Sequence, residues 1–180
     1  MRYFIDTEFN ERPGLLDLIS IALVAEDGRE FYAISNEFDE GTCNAWVKAN
    51  VLPKLPRRQV RVALDKSGAP FYTPLPPWMQ RADIAEGIRA LVGEDPKPEF
   101  WGYFADYDWV AFCWLFGAMV DLPKGWPMFC LDLEQQMYLN GLSKKDLPPQ
   151  PSESEAHDAL VDARWIRDAW MFIDKNMSGP

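Results

Sequence analysis

The sequence predicts an α/β domain in which a mixed sheet, opened by a three-strand antiparallel meander and extended by added strands, is flanked by helices. Three observations predict it. Apolar runs with β-branched content fill most of the first 35 residues, and an Asp27-Gly28 pair, a strong hairpin signal, separates two of them. Beyond residue 79, short apolar runs alternate with segments whose apolar residues recur at helical spacing. Strands followed by a strand and helix alternation read as one mixed sheet covered by helices. At 180 residues the whole chain, 1–180, reads as a single domain with one sizeable core.

The elements follow in order. Arg2 to Phe9 is a strand, Leu15 to Glu26 a second and Arg29 to Ser35 a third, joined by the Asp-Gly turn. Asp39 to Asn50 reads as a short helix, with Ala45, Trp46 and Ala49 at helical spacing. From Val51 to Trp78 the chain carries Pro53, Pro56, Pro70, Pro74, Pro76 and Pro77, so an irregular insertion is expected there. Gln80 to Val92 resumes a helix with Ile84, Ile88, Leu91 and Val92 on one stripe, stopped at Gly93. Glu99 to Tyr103 is a strand feeding a helix whose body, Trp109 to Phe116, is apolar all round and expected to be buried, with Gly117 closing it. A short strand at Met128 to Leu131, a helix at Leu133 to Leu139 and a last helix from Asp158 to about Asn176 complete the reading.

Composition narrows the function classes. No apolar run approaches the length that spans a bilayer, and no basic region followed by an apolar stretch opens the chain, so a cytoplasmic, membrane-free protein is expected. Cys43, Cys113 and Cys130 are scattered without metal-ligand spacing, which points to reduced core thiols. A net charge of −10 argues against nonspecific grip on nucleic acid through a basic face, though not against an enzyme in which metal ions meet the phosphates. The basic clusters at Arg57, Arg58, Arg61 and at Lys144, Lys145 read as solvated surface.

Chemistry concentrates in the opening strand. Side chains two apart on a strand share a face, so Asp6 and Glu8 project side by side about 7 Å apart. Two such anions on a rigid strand call for raised pKa values or a divalent cation between them. Asp106 and Asp108 both sit where a strand gives way to a helix, and either is a dipole partner or a ligand. His157 is the only histidine, and Asp162 follows it. On one helix those two would point about 140° apart. They converge only if His157 hangs from the preceding loop and Asp162 projects from the first turn, with Ser152, Ser154 or Asp158 as the cap.

Asp6-Thr7-Glu8, Ala105-Asp106-Tyr107-Asp108, and His157 followed by Asp162 resemble the three motifs of the DEDDh 3′-5′ exonucleases. The opening Met1 to Phe9, the Leu18 to Glu30 run and the Val51-Leu52-Pro53-Lys54-Leu55-Pro56 block look closer still to the polyadenylate-specific 3′-exoribonuclease AS family. The resemblance implies a ribonuclease H-like fold, two Mg²⁺ or Mn²⁺ ions, a homodimer, and release of 5′-mononucleotides from the 3′ end of single-stranded RNA, with a preference for adenine. It implies Asp6, Glu8, Asp108 and Asp162 as metal ligands and His157 as general base, with Asp158 a further candidate ligand. Wider relatives carry Asn four positions before the second-motif aspartate, where this chain has Phe104, so Asp108 is preferred to Asp106 on the Ala-x-aromatic-Asp spacing. Phe9, next to the acid pair, is a candidate surface for stacking a terminal base; strand alternation offers core packing as its other role. A DNA 3′-5′ exonuclease of the same superfamily, and a catalytically silent nucleic-acid-binding domain, are the rival readings.

Overall fold

The fold is built on one long hairpin, β1 (Arg2–Arg12) and β2 (Leu15–Ala25), to which β3 (Glu30–Ser35) adds antiparallel. The computed structural model describes residues 1–177 except Asp65 and Gly68. Gly28 between β2 and β3 has φ +90°, the left-handed conformation that an Asp-Gly turn demands and that only glycine adopts at low cost. The ranges of the later strands are Val60–Leu64 for β4, Pro70–Pro74 for β5, Trp78–Met79 for β6, Glu99–Gly102 for β7 and Leu131–Asp132 for β8. Of these, β6, β7 and β8 join this sheet in parallel, whereas β4 and β5 pair antiparallel with each other. Among the described residues the main sheet has six strands in the order β6-β3-β2-β1-β7-β8, the ribonuclease H-like mixed arrangement, and β4 pairs with β5 in a separate two-stranded sheet.

Alternation along β1 divides the molecule into layers. Tyr3 and Ile5 face one core, shared with Ile84, Ile88 and Val92 of α2 (Arg81–Val92) and Trp109 and Phe112 of α3 (Asp106–Trp114). Phe4 faces a second core, shared with Leu133 and Met137 of α4 (Leu133–Leu139) and Trp165, Ile166 and Trp170 of α5 (Ala159–Met177). Each such buried side chain contributes about 1.5–3 kcal/mol. Asp6 and Glu8 continue the α5-facing series of β1. The central strand thus delivers its two acids beneath the last helix.

Three expectations need correction. The proline-rich insertion is not wholly irregular: β4 and β5 form a hairpin in register from Val60 opposite Pro74 to Leu64 opposite Pro70. Two of its prolines, Pro70 and Pro74, stand at the first and last positions of β5, where ladder donors are least needed. The helix expected over residues 39–50 is shorter, α1 (Ala45–Asn50), because two caps divide the segment. Asp39 accepts from the Gly41 amide at 2.8 Å and closes a 3₁₀ turn, whereas Asn44 accepts from the Val47 amide at 2.9 Å and starts the α-helix. Finally, α3 is not buried on all sides. It covers the sheet with Trp109, Phe112 and Cys113 and leaves Tyr107, Val110 and Trp114 exposed, because it lies in an outer layer with the sheet on one side only. Among the described residues no helix is long and apolar enough to cross a membrane.

Candidate active site

Asp6, Glu8 and Asp162 each present a carboxylate oxygen within 4.8 Å of the others. Two come from β1 and one from the first turn of α5. A bulge sits beside them: Glu8 pairs with Ser20 but Phe9 pairs with Leu18, so β2 holds one extra residue there. Such a bulge re-aims side chains at a strand's functional end.

Asp108 enters from the opposite face. Its Oδ1 accepts from the Thr7 amide at 2.8 Å and the Thr7 hydroxyl at 2.6 Å, so the residue between the two β1 acids holds it. Asp108 is buried, whereas Asp106 faces solvent. The turn delivering α3 is tight. Gly102 leaves no room for a side chain, since a Cβ there would stand 2.5 Å from that of Ala105. The Ala105 amide donates to Asp132 at 2.8 Å, and Phe104 takes φ +55°.

His157 lies outside α5, as the convergence argument requires. Its φ is +65°, and its amide donates to Asp162 Oδ2 at 2.8 Å. Asp158 accepts from the Leu160 amide at 3.0 Å and so acts as a cap for α5. The histidine ring meets the indole of Trp46 edge-on, centroids 4.8 Å apart. Asp6, His157 and Asp162, with Tyr103 and Trp165, line one cleft of about 270 Å³.

The electrostatics follow from crowding. Burial first, then Asp108, Glu8 and Asp162, holds the Asp6 carboxyl well above its ordinary range. Burial, Asp162 and Asp108 push Glu8 up to about 8, with Lys54 pulling the other way. Burial raises Asp108 to about 6 against the two bonds from Thr7. Asp162 is also raised by burial, with the His157 amide opposing. Four neighbouring carboxyls displaced in the same direction lack positive charge. An all-oxygen donor set fits Mg²⁺ or Mn²⁺ and not softer metals.

Phe9 is half-buried on the α3 side, its ring 5.8 Å from that of Tyr107. Lys54 and Trp46, which carry no functional signal in the sequence, reach the His157 loop from the segment after β3. No spacing rule finds them, since their partners lie about a hundred residues away.

A ribonuclease H-like sheet with two acids on its central strand, and a histidine lining the cleft beside them, is an arrangement that suits a nuclease domain. No family model matches the chain. It is similar to the 3′-5′ exoribonucleases of two Mycobacterium tuberculosis strains, CDC 1551 / Oshkosh and ATCC 25618 / H37Rv, each 42% identical over 164 residues covering 91% of this chain and 88% of the relative. The chain belongs to this family of 3′-5′ exoribonucleases.

Proposed function

We propose that this protein is a two-metal 3′-5′ exoribonuclease of the DEDDh type, closest to the polyadenylate-specific AS family, which hydrolyses the 3′ end of single-stranded RNA and releases 5′-mononucleotides. The observation that carries the reading is the meeting of Asp6, Glu8 and Asp162 within 4.8 Å, reached from two distant parts of the chain. The similarity to exoribonucleases over nine-tenths of its length supports it.

Asp6, Glu8 and Asp162 would hold Mg²⁺ or Mn²⁺, with Asp108, which lies outside that 4.8 Å cluster and is anchored by Thr7, as the further ligand. Bound there, two such ions supply Lewis acidity to the attacking water and to the leaving oxygen. One imidazole nitrogen of His157 would accept the water's proton, the general-base role an imidazole beside the acids can fill. Asp162 fixes the backbone of that histidine through its amide. Trp165 and Tyr103 wall the cleft and limit water around the scissile bond. Phe9, beside the exposed ring of Tyr107, offers a stacking surface for a base. The AS-family resemblance adds adenine preference, a homodimer and a cytoplasmic setting to the proposal.

Digestion of matched 3′- and 5′-labelled single-stranded RNA and DNA oligonucleotides, with Mg²⁺, Mn²⁺ or chelator, tests the reading. Metal-dependent mononucleotide release from the RNA 3′ end is expected. Release from the 5′ end, internal cleavage, or equal turnover of DNA would overturn it.

A further inference from the structure

The loop that carries His157 spans residues 151–158 without regular structure. Its internal bonds are short in sequence. The Ser152 hydroxyl donates to Glu155 at 2.6 Å, the amides of Glu155 and Ala156 donate to the Ser152 carbonyl at 2.8 Å, and the His157 amide donates to Asp162. Bonds of this reach shape the loop but do not fix it against β1. His157 also occupies a left-handed conformation that a residue with a Cβ keeps only under restraint from its surroundings.

Two restraints arrive from outside. Lys54 Nζ donates to the backbone carbonyl of Ala156, the residue before His157, and to that of Glu153 at 3.4 Å. Trp46 sets its indole against the histidine ring while remaining 52% exposed. Both residues have a firm seat. Val47 and Val51 are buried with Ile34 and Trp78 in a third core, and Leu52 and Leu55 pack against it. The bases of Trp46 and Lys54 are therefore tied to β3 and β6, and so to the sheet that carries Asp6 and Glu8.

We infer that Lys54, backed by Trp46, is a positioning residue that latches the His157 loop over the acid cluster, so that the segment following β3 is the scaffold of the general base. The inference rests on the assignment of His157 to that role. Lys54 acts on backbone carbonyls, which places the loop whatever its side chains are. Its charge also favours the ionised forms of the nearby Glu8 and Asp162.

Lys54→Met keeps the aliphatic stem and removes three donors; Lys54→Arg keeps charge and donors in another geometry. With Mg²⁺ and single-stranded RNA, Lys54→Met should lower kcat about 10- to 100-fold, the scale for groups that orient a catalytic residue. KM and the melting temperature should hold, and Lys54→Arg should regain part of the loss. In a His157→Ala background, Lys54→Met should cost nothing further, because a residue acting through the imidazole has nothing left to act on. Losses that multiply would overturn the latch. A raised KM at unchanged kcat would do so too, and would give Lys54 to a substrate phosphate instead. Amide hydrogen exchange over residues 153–157 reads the latch without turnover. Faster exchange there in Lys54→Met, with β1 unchanged, is expected, and unaltered protection of the loop overturns the inference. A fully active His157→Ala protein would remove the general-base assignment while leaving the exchange result to judge the latch.

Discussion

Replacing Glu8 by Gln should stabilise the metal-free protein at alkaline pH. Glu8 is 8% exposed, and its carboxyl stands at about 8 instead of 4.5. A group whose pKa is higher folded than unfolded contributes stability that is whole below the unfolded value and is lost as pH rises through the folded one. For Glu8 that window runs from 4.5 to about 8. At ~1.4 kcal/mol per unit, its ionisation subtracts about 4 kcal/mol of folding stability by the upper end of the window. For a chain of this size the fall corresponds to about 10 °C in melting temperature. Glutamine has the same shape and no charge to desolvate. Wild type and Glu8→Gln should therefore melt alike at the acid end in chelator, then diverge, with the variant higher by about 10 °C at the alkaline end. Mg²⁺ should raise the wild type there and the variant much less, since binding to the folded state alone adds stability. Thermal melts across the window, with and without Mg²⁺, make the measurement. Equal melting temperatures in chelator at the alkaline end, or an equal gain from Mg²⁺, would refute the reasoning that these acids are crowded beyond what they hold ionised.

Other outcomes are expected. Asp6→Asn, Asp108→Asn, Asp162→Asn and His157→Ala should each stay folded and lose at least about 100-fold in exonuclease turnover, the lower bound for removing an acid–base or charge-stabilising group. Near wild-type turnover in a folded variant takes that residue out of the site. Phe9→Ala should weaken RNA binding by about 1–3 kcal/mol if its ring stacks a base. A lowered melting temperature with unchanged RNA affinity assigns the ring to packing against Tyr107. Gly102→Ala should cost about 1–3 kcal/mol by overpacking, because the new methyl meets Ala105 at a site closed by the carbonyl of Ile5. A chemical denaturation midpoint equal to wild type would contradict that.

Much of the scaffold was legible because its signals are local. The Asp27-Gly28 turn and the flanking apolar runs mark β2 and β3 within two residues of where they lie. Period-two alternation put Asp6 and Glu8 on one face, and cap logic placed His157 before α5 with Asp162 in its first turn. What was hidden depends on the environment beyond each segment. An apolar sequence over α3 does not say that only one side meets a sheet, and prolines at 70 and 74 look like breakers until their edge positions are known. The partners of Lys54 are carbonyls, which leave no mark in a sequence. Thr7, between two conspicuous acids, looks like filler, yet it holds Asp108 by two bonds.

Asp6 and Glu8 lie in β1 and Asp162 lies in α5, so the cluster joins an earlier-made segment to a much later one. A ribosome releases the amino-terminal strands first. Until α5 has emerged and docked, β1 presents two of the three clustered carboxylates without the third beside them.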